Sequence, residues 1–296
     1  MYKISVPATT ANLGPGFDCF GLALDIYNNF YLSESEYLRI EGCEKKYCNE
    51  NNLVYKSAIT VFKQHFGRSN FPKGMYIKFD SNIPISRGLG SSATSIIAGV
   101  LGANLLLNQP FSQKELFKIA VDIEGHSDNI ASALFGGLTV SKRVDTEVYY
   151  KKLHVHHKYG FYILIPNFEL STKKSRSFIP STINFEDAAS NTANASLMLL
   201  SLKDGDSHLL RLVSKDLLHE PYRKVLIKNY EKLRQFSFNN GALACQISGA
   251  GPSILCITEN CKNFKEKMED CLKLLDDSWQ IKYLGINYSG TTYEKV

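Results

Sequence analysis

The sequence predicts an α+β protein, with helices packed on one side of antiparallel sheet, and three observations carry that prediction. Short strand-like runs recur from the first residues to the last, and helical periodicities fall between them without a strict βαβ alternation. Hydrophobic residues make up 44% and charged residues 21% of the 296, enough apolar material for a core. That length leaves room for two compact domains or one large one. Lys and Arg number 34 against 29 Asp and Glu, and the net +5 is spread too evenly to imply nucleic acid. An anionic small molecule needs only one local basic pocket.

Residues 2–6 alternate like a half-buried strand, and 22–32 form an extended run rich in Ile, Tyr and Phe, with a loop between them. Apolar residues at Val54, Ala58, Ile59, Val61 and Phe62 give a helix over 52–66. Residues 75–79 read as a strand closed by Asp80-Ser81-Asn82. Three helices follow: a buried one over 91–107, an amphipathic one over 112–123, and a short one over 128–135 stopped by Gly136-Gly137. After a short strand at 138–141, residues 142–158 are polar, with five Lys or Arg and three His, and we place a domain boundary near 158. Beyond it come a strand at 161–165 and helices at 188–202 and 222–236, the latter entered at Pro221. Strands at 242–247 and 253–257 flank Ser248-Gly249-Ala250-Gly251-Pro252, and a last helix over 264–275 precedes a strand near 280–286.

The first seven residues lack the basic flank and apolar h-region of a secretory signal. The longest apolar-rich stretch, 96–107, contains Gly99, Gly102 and Asn104 and is shorter than the roughly 20 residues a bilayer span needs. Seven cysteines, an odd number without a C-x-x-C pair, suit a reduced, cytoplasmic protein without membrane residence. His154-Val155-His156-His157 lies in a Lys-rich polar stretch and reads as solvated linker, while Cys43 with Cys48 and Cys256 with Cys261 are spaced too widely for zinc knuckles. No metal is assigned to either group.

The most informative stretch is Pro84-Ile85-Ser86-Arg87-Gly88-Leu89-Gly90-Ser91-Ser92-Ala93-Thr94, a glycine-rich loop running into an apolar helix. Glycines let backbone approach an oxyanion, and the free N–H groups and positive dipole end of a helix complement phosphate. Ser91 or Ser92 offers a hydroxyl for Mg²⁺, although an N-cap would look the same. The P-loop string G-x-x-x-x-G-K-[ST] is absent. Gly88-x-Gly90-x-x-Ala93 fits a loosened dinucleotide fingerprint, but it does not follow its strand directly, and Glu115, where the ribose acid belongs, sits in a helix.

Pro84 to Thr94 resembles the phosphate loop of the GHMP kinases. Two further stretches match that superfamily in order: Pro7-Ala8-Thr9-Thr10-Ala11-Asn12-Leu13-Gly14-Pro15-Gly16-Phe17-Asp18 and Ile247-Ser248-Gly249-Ala250-Gly251-Pro252-Ser253. The resemblance spans nearly the whole chain. It implies an N-terminal ATP-binding domain over 1–158, of ribosomal protein S5 domain 2-like form with a left-handed βαβ unit. It also implies a ferredoxin-like α/β sandwich over 159–296.

On the substrate side, the 11–18 loop, Glu124-Gly125-His126-Ser127-Asp128-Asn129-Ile130-Ala131, Ser171-Thr172-Lys173-Lys174-Ser175-Arg176 and His219-Glu220-Pro221-Tyr222-Arg223 resemble the homoserine kinase family. The resemblance implies ATP and Mg²⁺ as cofactors, L-homoserine as substrate, and a step toward threonine. Such a zwitterion calls for guanidinium groups on its carboxylate and for acid or amide oxygens on its ammonium. Arg176 and Arg223 are assigned to the first role. Asn12, Asp18, His126 and Asp128 are offered for the second, with Thr172 and Gly249 completing the pocket and Asn129 beside the hydroxyl. Glu124 with Ser92 is implied for Mg²⁺, which takes only one or two protein oxygens. Asn52 matches an adenine-contacting position, and a plain N-cap accounts for it equally well.

Asp128 is substrate-binding first and a base second, because a neighbouring ammonium would keep it ionised. Ser127 stands where many relatives carry proline, and its backbone is expected to be less constrained, with the aim of His126 less fixed. Two alternatives are a GHMP kinase for mevalonate, a sugar or a cytidyl diphospho-alcohol, and a non-catalytic binding protein of the same fold. An alcohol without an amine has no need of Asp18 with Asp128, and a binding module would usually have lost the phosphate loop or Glu124. Edge strands leave a homodimer open.

Overall fold

Residues 1–67, 74–259, 263–276 and 278–296 are described by the computed structural model. Two sheets organise them. The first is built on β1 (Tyr2–Ala11) and β2 (Phe20–Glu34), an antiparallel pair whose register shifts between Pro7 and Ala8. Beside β2 lie β4 (Met75–Ser81) and then β3 (Arg39–Glu41), the latter pair parallel with α1 (Leu53–Phe66) between them in the chain. The lower part of β2 pairs instead with β5 (Leu138–Val144), which continues to β6 (Glu147–Leu153).

The second sheet has strand order β10 (Trp279–Tyr283), β7 (Tyr159–Pro166), β9 (Ile254–Glu259), β8 (Ala242–Ile247), antiparallel throughout. Its sequence order, strand, helices, two strands, helix, strand, is the ferredoxin-like β-α-β-β-α-β arrangement.

Helices α1, α2 (Ser91–Leu106), α3 (Gln113–Glu124) and α4 (Asp128–Phe135) cover the first sheet, where Val54, Ile97, Val100, Phe117 and Ile130 meet Ile4, Val6, Phe30 and Ile77 in one buried cluster. Ser112 and Glu115 begin α3 with a reciprocal capping box. The second sheet carries α5 (Thr172–Arg176), α6 (Phe185–Asp204), α7 (Ser207–Val213), α8 (Glu220–Arg223), α9 (Tyr230–Asn239) and α10 (Phe264–Leu272).

Residue 158, near which a boundary is expected, lies between β6 and β7, where the chain passes from one sheet to the other. Two features cross it. The last strand, β11 (Thr292–Lys295), returns to pair with β1, and Ala8, Leu13, Phe20 and Leu22 share a core with Phe161, Ile163 and Leu255.

The expected polar linker at 142–158 is largely a hairpin. Its charged residues are largely exposed, though Arg143 pairs with Asp122, Glu147 with Lys114 and Lys152 donates to Phe135 O, while Val148 is buried and Tyr150 stacks on Phe135 at 3.8 Å. The helix expected over 222–236 is two helices. Asn229 takes the left-handed conformation (φ 61°) between α8 and α9, ending one helical path and starting another.

Candidate active site

A cavity of about 510 Å³ opens where the ends of β1, α2, α3 and α4 face α5, α8 and the 248–251 turn. Most of the residues singled out in the sequence line it, including Asn12, Asp18, Gly88, Gly90, Glu124, Asp128, Arg176 and Arg223. Ile85, Ser86, Arg87, Ser91, Ser92, His126, Asn129, Thr172 and Gly249 are among the others. Pro84, Leu89, Ala93 and Thr94 do not line it. Leu89 and Ala93 are core, and the buried Thr94 hydroxyl donates to Ser91 O at 2.9 Å and accepts from Asn28 at 3.2 Å.

The phosphate-loop glycines also meet a packing requirement. A Cβ on Gly88 (φ +74°) would stand 2.2 Å from Ser248 O, and one on Gly90 (φ +70°) would stand 1.9 Å from Thr9 Oγ1. These glycines let the loop nest against the 248–251 turn and against β1, a packing requirement not visible from the motif. Ser248 Oγ donates to Gly88 O at 2.6 Å, and Arg87 anchors the other side through Pro166 O, Ile85 O and Asn167 O at 3.1, 2.9 and 2.8 Å. Gly90 itself is the N-cap of α2 and no side chain caps that helix, so its first N–H groups are not consumed by a cap.

Ser92 is therefore inside the helix and not its cap. Its hydroxyl donates to Glu124 Oε1 at 2.6 Å, bringing the last residue of α3 to the first turn of α2. Burial pushes the Glu124 carboxyl above its ordinary value, outweighing the Ser92 hydrogen bond and the charge of His126. Among the described residues no group of three or more His, Cys, Asp or Glu could hold a metal ion. Ser92 and Glu124 nevertheless supply two adjacent oxygens, a donor set that fits a Mg²⁺ relying for the rest on phosphate and water.

Asn52 is the N-cap of α1. Its Oδ1 accepts from Val54 N at 2.9 Å and Tyr55 N at 3.3 Å, and its Nδ2 donates to Tyr47 O at 3.0 Å, so the capping account is the one its geometry exhibits. Cys43, Glu44 and Tyr47 line the same end of the cavity, a wall that no sequence motif announced.

At the start of α4, Asp128 Oδ1 accepts from Asn129 N at 2.8 Å and lies 3.2 Å from His126 Nδ1. Burial lowers the His126 pKa, but the hydrogen bond and charge of Asp128 outweigh it and leave it raised. Asn129 Oδ1 accepts from Thr9 Oγ1 at 2.6 Å. Ser127 is less free than expected: its buried hydroxyl accepts from Ser141 Oγ at 2.9 Å, and its φ of −101° departs from the value proline would impose.

Arg176 NH1 and NH2 grip Asp18 at 2.9 and 2.7 Å, and that pairing raises the guanidinium pKa. Asn12 is spent on the scaffold, its Nδ2 donating to Gly249 O at 2.9 Å and its Oδ1 accepting from Asp18 N at 2.8 Å. Arg223 is 1% exposed. Its NH1 donates to Gly249 O at 3.2 Å, its Nε finds no partner among the described residues, and burial, with the charge of Arg176, lowers its pKa to about 10. Phe17, which sequence reasoning passed over, carries both guanidinium groups on its ring, Arg176 at 5.3 Å and Arg223 at 5.1 Å. Its place directly before Asp18 was the available signal.

Of the remaining cysteine and histidine readings, Cys43 and Cys48 approach to 3.6 Å, His154 stacks on Tyr288 at 4.9 Å and His156 on His157 at 4.4 Å, while Cys261 lies outside the described residues. No described helix is long and apolar enough to cross a membrane.

Comparison with known proteins matches residues 52–137 to the GHMP kinases N terminal domain and residues 196–273 to the GHMP kinases C terminal domain. A homoserine kinase of Clostridium botulinum (strain Langeland / NCTC 10281 / Type F) is 40% identical, covering 98% of each chain. The chain belongs to the homoserine kinase family. A second member, from Clostridium beijerinckii, is also 40% identical, over 99% of this chain and 98% of its own. The crystal structure of homoserine kinase from Cytophaga hutchinsonii superposes with a TM-score of 0.86 at 28% identity, covering 99% of this chain and 96% of that one. The GHMP kinase fold inferred from three motifs is thus the fold of the chain, and the homoserine kinase likeness extends over its whole length.

Proposed function

We propose that this member of the homoserine kinase family transfers the γ-phosphoryl group of ATP to the hydroxyl of L-homoserine, giving O-phospho-L-homoserine and ADP in threonine biosynthesis. The observation that carries the assignment is Arg223, a buried guanidinium that lines the cavity, has no ion-pair partner among the described residues and leaves its Nε without a hydrogen bond there. An amino-acid carboxylate satisfies it. A sugar or a simple alcohol does not.

In this reading the nucleotide lies along the 85–92 loop. The first N–H groups of α2 receive phosphate oxygens, and Asn52 sits with the 43–47 wall at the base end. Ser92 and Glu124 would hold Mg²⁺, which neutralises phosphate charge when bound. Arg176 and Arg223 take the carboxylate, and Asp18, hydrogen-bonded to Arg176, takes the ammonium, with His126 and Asp128 beside it and Thr172 and Gly249 closing the pocket. Asn129 faces the hydroxyl.

Phosphoryl transfer passes through a loose transition state, so alignment of the hydroxyl with the γ-phosphate and electrostatic stabilisation contribute more than a strong base. Asp128 acts chiefly by holding substrate and orienting His126, its Oδ1 being occupied by Asn129 N–H. Residues 1–158 supply the nucleotide side and 159–296 complete the amino-acid end, the reaction taking place in the cytoplasm.

An ADP-release assay across L-homoserine, mevalonate and galactose tests the assignment. Turnover is expected with L-homoserine alone. Nucleotide binding without turnover on any alcohol would instead make the chain a binding module.

A further inference from the structure

His219 has no exposed surface and does not line the cavity, yet both of its ring nitrogens are committed. Nε2 lies 3.3 Å from Asn12 O and 3.2 Å from Gly14 O. Carbonyl oxygens only accept, so Nε2 carries the proton. Nδ1 lies 3.4 Å from Arg223 NH1, which only donates, so Nδ1 presents its lone pair. The ring is the neutral Nε2–H tautomer, and a second proton would set two donors against each other.

The surroundings agree with that state. Burial foremost, and the Arg223 charge, outweigh Asp216, whose Oδ2 is 3.8 Å from Nε2. That Asp216 oxygen is already occupied by the backbone N–H groups of His219 at 2.7 Å, Glu220 at 2.7 Å and Leu218 at 3.2 Å. One face of the imidazole stacks on Phe17, with centroids 5.2 Å apart.

These contacts close a circuit. Asn12 O accepts from His219, His219 Nδ1 accepts from Arg223 NH1, and Gly249 O accepts from both Arg223 NH1 and Asn12 Nδ2. The circuit joins the first loop, α8 and the 248–251 turn, three segments distant in the chain.

We propose that His219 is a positioning residue for substrate recognition. Held by the carbonyls of the first loop, it fixes the NH1 arm of Arg223 against Gly249 and leaves the rest of the guanidinium to receive the substrate carboxylate. This rests on the reading of Arg223 as a carboxylate-binding group. His219 touches neither substrate nor nucleotide and acts through Arg223 alone.

The test is a double-mutant cycle read in steady-state kinetics. His219→Ala is expected to raise the KM for L-homoserine by about tenfold or more, the scale of one hydrogen bond to a charged group, with kcat and the KM for ATP changed less than about twofold. His219→Gln, which keeps a donor and an acceptor, recovers part of the loss. In an Arg223→Met background, His219→Ala adds less than about twofold.

If Arg223→Met leaves the homoserine KM unchanged, the underlying carboxylate reading fails. If Arg223→Met raises it but His219→Ala has no effect, or multiplies it independently, the inference about His219 fails by itself. Should His219→Ala not fold, ¹⁵N NMR of the histidine rings in the unmutated protein decides. A neutral Nε2–H ring between about pH 6 and 8 is expected, and a protonated ring or an Nδ1–H tautomer overturns the proposal.

Discussion

Replacing Arg223 with methionine is expected to stabilise the empty protein while destroying its hold on homoserine. The residue is 1% exposed, shares NH1 between Gly249 O and His219 Nδ1, and leaves Nε unpartnered among the described residues. Its folded pKa of about 10 lies well below the ordinary arginine value. At about 1.4 kcal/mol per pH unit that gap opposes folding by something on the order of 3 kcal/mol. Above about pH 10 the folded state loses this proton before the unfolded one does, so the penalty is present in full at neutral pH and lifts only above about 10.

Methionine removes the charge and fills much of the volume. The two hydrogen bonds and the cation–π contact with Phe17 go with it, a loss of roughly 2 kcal/mol. The balance is a gain of about 1 kcal/mol, or roughly 2 to 4 °C in Tm. The same change leaves a carboxylate without its charge-assisted partner, which raises the homoserine KM by about a hundredfold. Thermal denaturation with and without L-homoserine, paired with the ADP-release assay, measures both. The amino acid should raise the Tm of the unmutated protein and not that of the variant. A variant that melts several degrees lower without ligand, yet keeps its KM, would mean that Arg223 is a structural ion and that the reasoning is wrong.

Glu124→Gln should raise the Mg²⁺ concentration needed for half-maximal rate at least about tenfold. Because burial raises the carboxyl above 4.5, the acid limb of kcat/KM for nucleotide should lie above that pH and vanish in the variant. The folded state holds this proton more tightly than the unfolded state, so ionisation at neutral pH opposes folding and Glu124→Gln should not lower the Tm. Gly88→Ala, with its Cβ 2.2 Å from Ser248 O at φ +74°, should cost a few kcal/mol of stability, seen as a lower Tm with or without nucleotide. An unchanged Tm with a raised KM for ATP would show that the glycine is needed by the triphosphate and not by the turn. Cys43 lines the cavity, and its thiol is pushed up to about 12 by burial and the Cys48 contact, so maleimide labelling at alkaline pH should be slow and slower still under Mg-ATP. Peptide mapping, with buried Cys245 and Cys256 as internal controls, reads the protection, and its absence would move the nucleotide away from the 43–47 wall.

The linear sequence was sufficient for whatever depends on local pattern. The helical repeats that become α1 to α4 and the strands around 75–79 and 161–165 are visible because burial on one face imposes a period. The three motifs are visible because a phosphate loop and a zwitterion pocket demand particular residue types in short runs. Contacts between segments far apart in the chain have no such period. The hairpin partner β6 looked like linker because its outward face is charged, and β11 is intelligible only beside β1, nearly the full length of the chain away. Sequence could pair Ser92 with Glu124 only by resemblance and nominated Asp18 and Arg176 for separate roles; folding brought both pairs to hydrogen-bond distance. It likewise turned Gly88 into a packing requirement and gave His219 and Phe17 their hold on Arg223, since which groups meet, and which are left buried without a partner, is decided by tertiary packing alone.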